Sequence, residues 1–324
     1  MHGASVASIA VGRSVGVAPA AGLYFIGETS GDYLGTSEFE QDFLYLARAI
    51  ERLLKVNKRL AEGEKIRVIA IAQGWGEGSQ GSDEATRAVD RARREGVFVV
   101  SSSLFETSGR RFAFGGLGRE PLADPGAYGS YGPGLWWAES FFGGKFKSAA
   151  GVTPLLVPMD ARTAAGPRGP DDYAFYRQGG LSWAIPWIAG LYALACQVRP
   201  DVTPDLFWAT ALATGDSLEV PPRERSLTPD EVEARVPKLV EEVMARFRAD
   251  LARFGEDAEA EKRMAALYER ATGVRRPRMS EAEFRAWGVK LARARLSAIG
   301  KPVVLEKIVN PSKLMAALGK GEAR

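Results

Sequence analysis

Residues that form disulfides or bind transition metals are almost absent from this sequence. Its 324 residues include one cysteine, Cys196, and one histidine, His2. A single cysteine excludes an internal disulfide framework, and these two side chains are too few to complete a zinc site. No aspartate-rich loop of the kind that binds calcium stands out either. We therefore expect no metal and no cofactor.

An excess of charge of one sign is also lacking. The 43 basic and 40 acidic residues give a net charge of +3, with no block of like charge. Domains that bind nucleic acid carry a clustered basic surface, so we expect no nucleic-acid partner. The chain does not open with the pattern of a signal peptide, and this favours a cytoplasmic location.

Only one long hydrophobic run is present, LSWAIPWIAGLYALACQV at residues 181–198. Its length permits a transmembrane helix. However, the run contains Pro186 and Gly190, and the RPDVTPDLFW that follows it has the pattern of a turn and a new helix start. We therefore expect a buried helix of a large α/β protein and no membrane span.

Residues 1–216 are rich in glycine and alternate between strand and helix patterns. AAGLYFIG and KIRVIAIAQGWG have the pattern of buried strands that end in glycine turns. FEQDFLYLARAIERLLKVNKRL places five apolar side chains, from Phe39 to Leu53, on one helical face. SDEATRAVDRARREG predicts a helix with Ser82 as its N-cap, leading into the strand VFVV. Alternating strands and helices with short connections predict a parallel sheet with right-handed crossovers.

Residues 217–301 differ in composition, because they are charged and poor in glycine. Thr228, Pro229 and Glu231 form a capping-box pattern, and Ser280 with Glu283 repeats it. These signals predict amphipathic helices, either a solvated helical insertion or a coiled coil. We expect an α/β core at 1–216, the insertion at 217–301, and a closing strand and helix of the core at 302–324.

Ser182 is a candidate catalytic nucleophile. It follows two glycines and stands at the start of the apolar run. The first N–H groups of a helix have no intrahelical acceptor, so they can stabilise the oxyanion of an acyl-transfer transition state. A serine hydroxyl needs a base to become a nucleophile, and His2 carries the only imidazole. A serine that merely caps a helix is the alternative reading.

Two segments together resemble the subtilisin-like serine proteases, the subtilases. HGASVASIAVG followed by GVAPAAGLYFI resembles their histidine segment, and GLSWAIPWIAGLYALACQVRPDVTP resembles their serine segment. The similarity covers residues 1–216 and 302–318. It implies a three-layer α/β fold, with a mostly parallel sheet flanked by helices. It also implies a serine endopeptidase acting on a peptide or protein through an acyl-enzyme on Ser182, with His2 as general base.

The same resemblance implies a substrate cleft. Gln73, Gly74, Trp75 and Gly76 lie where the family has a strand and glycine turn beside the substrate, which would bind as an added β-strand. VFVVSSSLFE corresponds to the strand that leads to the oxyanion asparagine, and Phe105 occupies that position. Phenylalanine has no polar donor. Either Ser103 replaces the asparagine or the Ser182 N–H acts largely alone.

A second departure concerns the catalytic aspartate, which the family carries on a strand ahead of the histidine. No acid of this sequence falls at that position. We expect either an upstream segment in the complete gene product or a catalytically inactive subtilase-like protein that binds peptides or acts as a scaffold. We also expect Asp160 and Arg162 to form a local pair near the cleft. We expect His2 Nε2 to lie about 3 Å from the Ser182 hydroxyl in a competent site and farther away in an apo one.

Overall fold

The structure is a computed structural model of the chain. It describes residues 2–28, 31–33, 39–76, 78–103, 107, 111–127, 130–134, 153–169, 171–177, 179–220, 225–254, 281–298, 300 and 302–320. The chain divides into two compact units. The first comprises Met1–Gly134, Thr153–Ser217 and Glu306–Arg324, and the second comprises Leu135–Val152 and Leu218–Leu305.

The elements of the chain alternate between helix and strand over most of its length. The helices are α1 (His2–Val11), α2 (Leu44–Asn57), α3 (Ser82–Arg94), α4 (Leu181–Val198), α5 (Pro204–Thr214), α6 (Pro229–Phe254), α7 (Glu281–Ala298) and α8 (Pro311–Gly319), with a short 3-10 turn at Glu62–Glu64. The strands are β1 (Gly31–Tyr33), β2 (Phe39–Gln41), β3 (Val68–Ile71), β4 (Phe98–Ser101), β5 (Phe114–Arg119), β6 (Tyr131–Pro133), β7 (Leu155–Pro158), β8 (Arg162–Ala165), β9 (Tyr173–Tyr176), β10 (Asp216–Val220) and β11 (Val303–Ile308).

The strands form a mixed set of sheets. β3 and β4 pair in parallel, with Val68 opposite Phe98. A five-stranded sheet has the order β10-β11-β7-β5-β6, in which β5 and β7 are parallel while β5 and β6 are antiparallel. β8 and β9 form an antiparallel pair, as do β1 and β2. The chain therefore has a mixed α/β fold, and the mostly parallel three-layer arrangement stays a prediction.

Successive residues of β4 are buried against different helices. Val99 belongs to a core cluster that α2 and α3 form over β3, with Ile50, Leu54 and Val89. The neighbouring Phe98 instead packs on Tyr192 of α4 and Phe207 of α5, with ring centroids 4.9 and 6.0 Å away. Side chains of a strand alternate between its two faces, so this strand is covered on both.

Three local predictions fail in the first unit. The predicted strand AAGLYFIG is not one, because residues 22–28 are irregular, with Leu23 53% and Phe25 57% exposed. The predicted helix at Phe39 begins at Leu44, after the short strand β2. Ser82 is not the N-cap of α3, since the left-handed Gly81 (φ 70°) takes that position. Apolar periodicity encodes neither the missing pairing partner of residues 22–28 nor the short strand and left-handed glycine that set the other two helix starts.

Other local predictions are confirmed. The predicted helix from His2 is α1, and the apolar run at 181–198 is α4. The helix start predicted in RPDVTPDLFW is that of α5, where the Thr203 hydroxyl accepts the Leu206 N–H at 3.2 Å. The predicted closing helix is α8, where the Asn310 side chain accepts the Lys313 N–H at 3.0 Å. Each of these two caps joins residues three positions apart, so the helix starts are specified by the local sequence.

The second unit is dominated by the pair α6 and α7. Val232, Val236, Val240 and Met244 recur every fourth residue on α6 and pack with Ala292 and Leu296 of α7. Salt bridges join Arg285 to Glu241 and Arg293 to Glu233, so rising numbers on one helix meet falling numbers on the other and the pair is antiparallel. The second capping box lies partly outside the described residues, because Ser280 is not described. The boundaries at 217 and 301 stay predictions.

Among the described residues, one helix, α4, is long and apolar enough to cross a membrane. Its mean hydropathy over 18 residues is 1.4, and 61% of that window is buried inside the protein. Burial of this kind is also typical of the core helix of a soluble domain.

Candidate active site

Ser182 is the second residue of α4, and the start of this helix is built without a side-chain cap. Gly180 is the N-cap and offers no side chain to the helix N–H groups. The Ser182 hydroxyl donates to the Ala72 carbonyl just after β3, at 3.4 Å. That distance is near the limit for a hydrogen bond, so the hydroxyl is weakly held. Pro186 has no N–H, so the Ser182 carbonyl lacks its usual helical donor.

His2 begins α1, and long-range contacts hold that helix in place. The Ser5 hydroxyl donates to the Ala165 carbonyl of β8, and the Ser8 hydroxyl accepts the Ala165 N–H, both at 2.8 Å. Gly190 of α4 faces α1 closely, since a Cβ added there would lie 3.0 Å from the Ala10 carbonyl oxygen. These contacts dock α1 on α4 and β8.

The His2 imidazole stacks on the indole of Trp183, the residue that follows Ser182. The ring centroids are 5.5 Å apart and the planes are inclined by 20°. Tyr176 of β9 also packs on Trp183, with a centroid distance of 4.9 Å, so the indole has an aromatic neighbour from each of two elements. The sole histidine of the chain is thus brought beside the start of α4 although it is 181 positions from Trp183 in sequence.

The predicted hydrogen bond between His2 and Ser182 is not formed in this structure, where the Ser182 hydroxyl donates to Ala72 instead. Within the described part of the chain, no hydrogen bond joins the His2 ring to Ser182 or to an acid residue. Catalytic hydrogen bonds are often long before substrate binds and tighten in the complex. The roles of His2 and Ser182 stay predictions.

Ser103 makes a two-way contact with the cleft segment. Its hydroxyl accepts the Trp75 N–H and donates to the Trp75 carbonyl, each at 2.6 Å. Both groups are buried, and the Trp75 indole is fully enclosed, with its Nε1 donating to Thr86 Oγ1 at 3.2 Å. The Ser103 proton is therefore engaged with Trp75 in this structure, and the Trp75 backbone is engaged with Ser103. Ser103 as an oxyanion donor stays a prediction, and Phe105 lies outside the described residues.

The remaining residues of the predicted cleft lie beside Trp75. Gln73 and Gly74 are half-buried, and Gly76 is buried. A Cβ added at Gly74 would lie 3.1 Å from Ser102 Oγ, so the segment passes close to the chain after β4. The structure brings Gly74, Trp75 and Ser103 together, and the substrate-binding role of 73–76 stays a prediction.

Two residues near α4 have roles that the sequence did not indicate. Asp160 is buried, and its Oδ1 accepts the Gly179 N–H at 2.7 Å. Arg162 instead lies 5.7 Å over the Trp187 ring and donates to the Pro158 carbonyl at 3.4 Å. Burial lowers the pKa of Arg162 to about 10. The predicted ion pair between Asp160 and Arg162 is therefore wrong. The sequence suggested it because an acid and a base stand two positions apart, but each side chain binds a different partner.

The described residues contain no group of three or more histidine, cysteine, aspartate or glutamate side chains placed to hold a metal ion. Cys196 is a half-buried thiol of α4, and burial raises its pKa. A thiol of this kind is a weak nucleophile.

Comparison with known proteins yields low-identity structural neighbours. No protein-family model matches the chain, and no curated protein sequence matches it. Among solved structures, the chain is similar to the prenylagaramide maturation protease PagA, with 18% identity over 71% of this chain and 74% of that chain, at a TM-score of 0.41. It is similar to the subtilase cytotoxin SubAB, with 18% identity over 67% and 68% of the two chains, at 0.42. It is similar to the self-cleaved protease domain of PatA, with 20% identity over 53% and 60%, at 0.31.

Proposed function

We propose that this chain is a subtilisin-like serine endopeptidase that cleaves peptide bonds through an acyl-enzyme on Ser182, with His2 as general base. The observation that carries the proposal is the stacking of the only imidazole on Trp183, directly beside Ser182. A serine at a helix start has the local N–H groups that an oxyanion needs, but it needs a base as well. The fold brings the only imidazole from the start of the sequence to Trp183, and this supports the proposed role of His2.

The proposed reaction has two stages. His2 Nε2 takes the Ser182 proton as Oγ attacks the substrate carbonyl, and the N–H groups that open α4 stabilise the resulting oxyanion. The same imidazole then gives its proton to the leaving amine, which breaks the peptide bond and leaves an ester on Ser182. Water, deprotonated by His2, hydrolyses the ester and restores the hydroxyl.

We expect the proposed peptidase to turn over its substrate slowly. Among the described residues no acid forms a hydrogen bond or ion pair with His2, whereas serine proteases of this class orient the histidine with an aspartate. Loss of that aspartate alone lowers turnover by about 10⁴-fold in such enzymes. Stacking on Trp183 supplies part of the missing orientation, since it restricts the ring to one plane.

A peptide-binding protein without catalysis is the second candidate. The long bond of the Ser182 hydroxyl to Ala72 and the engagement of Ser103 with Trp75 favour it, because both leave the expected catalytic hydrogen bonds unmade. In this proposal the segment 73–76 and the start of α4 still form a groove, and an extended peptide binds there by main-chain hydrogen bonds.

Labelling with a fluorophosphonate separates these candidates, because the probe forms a covalent adduct only with an activated serine. We expect one adduct, mapped to Ser182 by peptide mass spectrometry and lost in Ser182→Ala. Ser226→Ala, which changes an exposed serine of the second unit, is the matched control and should retain the adduct. An adduct that persists in Ser182→Ala contradicts Ser182 as the nucleophile, and no adduct in the wild type contradicts the enzyme and favours the binding protein.

A further inference from the structure

Asp160 stands apart from the other acids of the chain. It is the one Asp, Glu, Lys, Arg or His side chain in the described ranges that is buried, with 6% of its surface exposed. An ionised carboxylate loses its hydration on burial and is tolerated only where donors replace the water. One such donor is the Gly179 N–H, at 2.7 Å from Oδ1.

The bond from Asp160 reaches the chain that enters α4. Gly179 directly precedes Gly180, the N-cap, and lies three residues before Ser182. A second bond runs beside it, from the Ala161 N–H to the Arg177 carbonyl at 3.1 Å. Ala161 has a φ of 53°, a left-handed conformation that alanine adopts at a free-energy penalty of about 1–2 kcal/mol. The turn after β7 is therefore held in an uncommon shape that presents Asp160 to Gly179.

Gly179 is also packed against the residue that supports His2. A Cβ added to it would lie 2.6 Å from Trp183 Cδ1 and would collide with the Met159 carbonyl oxygen. A displacement of Gly179 would therefore be transmitted to Trp183, whose indole stacks on the His2 ring. The same bond thus bears on both proposed members of the active site.

Within the described ranges, no side chain caps the start of α4, and Asp160 supplies the shortest side-chain hydrogen bond there. The N-cap of this helix is a glycine without a capping side chain, and the Ser182 hydroxyl makes only a 3.4 Å bond. We propose that Asp160 is a positioning residue for the active site, which fixes Gly179 and thereby the orientation of Ser182 and Trp183. This inference rests on the proposed function, because positioning matters to catalysis only if Ser182 is the nucleophile.

The test separates the limiting labelling rate from probe binding. In Asp160→Ala we expect the limiting rate of fluorophosphonate labelling at Ser182 to fall about tenfold to a hundredfold, as small displacements of reacting groups do. The concentration for half-maximal rate should change by less than about twofold, since no probe contact is removed. Asp160→Asn keeps an acceptor without the charge, so its limiting rate should fall measurably, but by less than about tenfold.

A matched control removes a carboxylate that holds a different helix. Asp216 accepts the Asn310 side-chain N–H at 2.7 Å and pairs with Lys313 at the start of α8. Asp216→Ala should lower thermal stability and leave the limiting labelling rate of the folded protein unchanged. If Asp160→Ala and Asp216→Ala change the rate equally, Asp160 has only a general structural role and the inference is overturned.

The single histidine supplies a readout that is independent of activity. In the wild type, the ring proton signal of His2 should be shifted upfield by the Trp183 indole in a nuclear magnetic resonance spectrum. Asp160→Ala should move this signal towards that of a free histidine, while Asp216→Ala should not.

If the wild type is not labelled, the proposed function fails and the histidine signal alone tests Asp160. If the wild type is labelled, but the folded Asp160→Ala protein keeps both the rate and the signal, the positioning role fails. Should Asp160→Ala not fold, Asp160→Asn decides, and an unchanged rate and signal in it overturn the inference.

Discussion

The helices α4 and α6 begin in opposite ways. At the start of α6, the Glu231 N–H donates to the Thr228 hydroxyl at 3.3 Å and the Thr228 N–H donates to the Glu231 carboxylate at 2.9 Å. Thr228 and Glu231, three positions apart, thus accept each other's backbone N–H groups. At the start of α4, the anchor is Asp160, which lies 19 positions before Gly179. One helix start is specified locally and the other by tertiary structure, and the second one carries the candidate active site.

The difference has a physical reason. A capping side chain accepts one of the first helical N–H groups, which stabilises the helix but leaves fewer donors for a substrate. A start with glycine at the N-cap keeps those donors available and must be fixed from outside. The α4 start therefore depends on distant residues for its geometry, whereas the α6 start needs only its own sequence.

The largest expected effect comes from separating α1 from α4. A Cβ at Gly190 would lie 2.7 Å from Val17 Cβ and 3.0 Å from the Ala10 carbonyl oxygen. Gly190→Val should therefore lower the free energy of unfolding by about 3 kcal/mol. Because α1 carries His2, labelling of Ser182 should also fall by about a hundredfold. Chemical denaturation and labelling kinetics measure the two effects.

Gly63 provides the control for that substitution. A Cβ at Gly63 would have no neighbour within 4 Å. Gly63→Val should change neither stability nor labelling measurably, since surface changes of this kind are usually neutral. Wild-type labelling in the Gly190→Val protein would show that the docking of α1 is irrelevant to Ser182.

A smaller effect, confined to the second unit, is expected from its core. Val236 of α6 is buried against α7. Val236→Ala removes two carbon atoms and leaves a cavity, which should destabilise the helix pair by about 2 kcal/mol. Hydrogen exchange should accelerate in α6 and α7, while the rate of Ser182 labelling stays the same. Reduced labelling would show that the active site depends on this helix pair.

The smallest effect concerns pH and the local cap of α6. Hydrogen bonds from Arg225 and Thr228 lower the pKa of Glu231 to about 2, from an ordinary value of 4.5. Because the folded-state pKa is depressed, the stabilisation is complete above about pH 4.5 and is lost as the pH falls towards 2. The helical signal of the second unit should weaken in this window. Glu231→Gln should remove the pH dependence that comes from this group, and an unchanged profile in that variant would assign it to other carboxylates.

The predictability of the candidate site follows the same division. The resemblance to subtilases pointed to His2 and Ser182, and apolar patterning predicted α1 and α4 around them. Neither the resemblance nor the patterning predicted the stacking of His2 on Trp183 or the hydrogen bond from the Gly179 N–H to Asp160. Both contacts join residues that are distant in sequence, and the residues around them form no motif that indicates the partner. No local pattern could therefore reveal these contacts.

The strand predicted at AAGLYFIG shows the converse error. Its apolar residues fit a buried strand, yet residues 22–28 are irregular and Phe25 is exposed. A strand requires a hydrogen-bonding partner as well as a suitable sequence. β4 met that requirement, because β3 runs beside it in parallel register and helices cover both of its faces.

By itself, the sequence determined the helix starts that are stabilised locally. The capping pattern of Thr228 and Glu231 and the Thr203 cap of α5 each act within a few positions of the chain. Tertiary structure alone decided where His2 lies, what Ser103 binds and why Asp160 is buried. These outcomes depend on close packing between distant segments, which fixes the position of each side chain only after the whole core has formed.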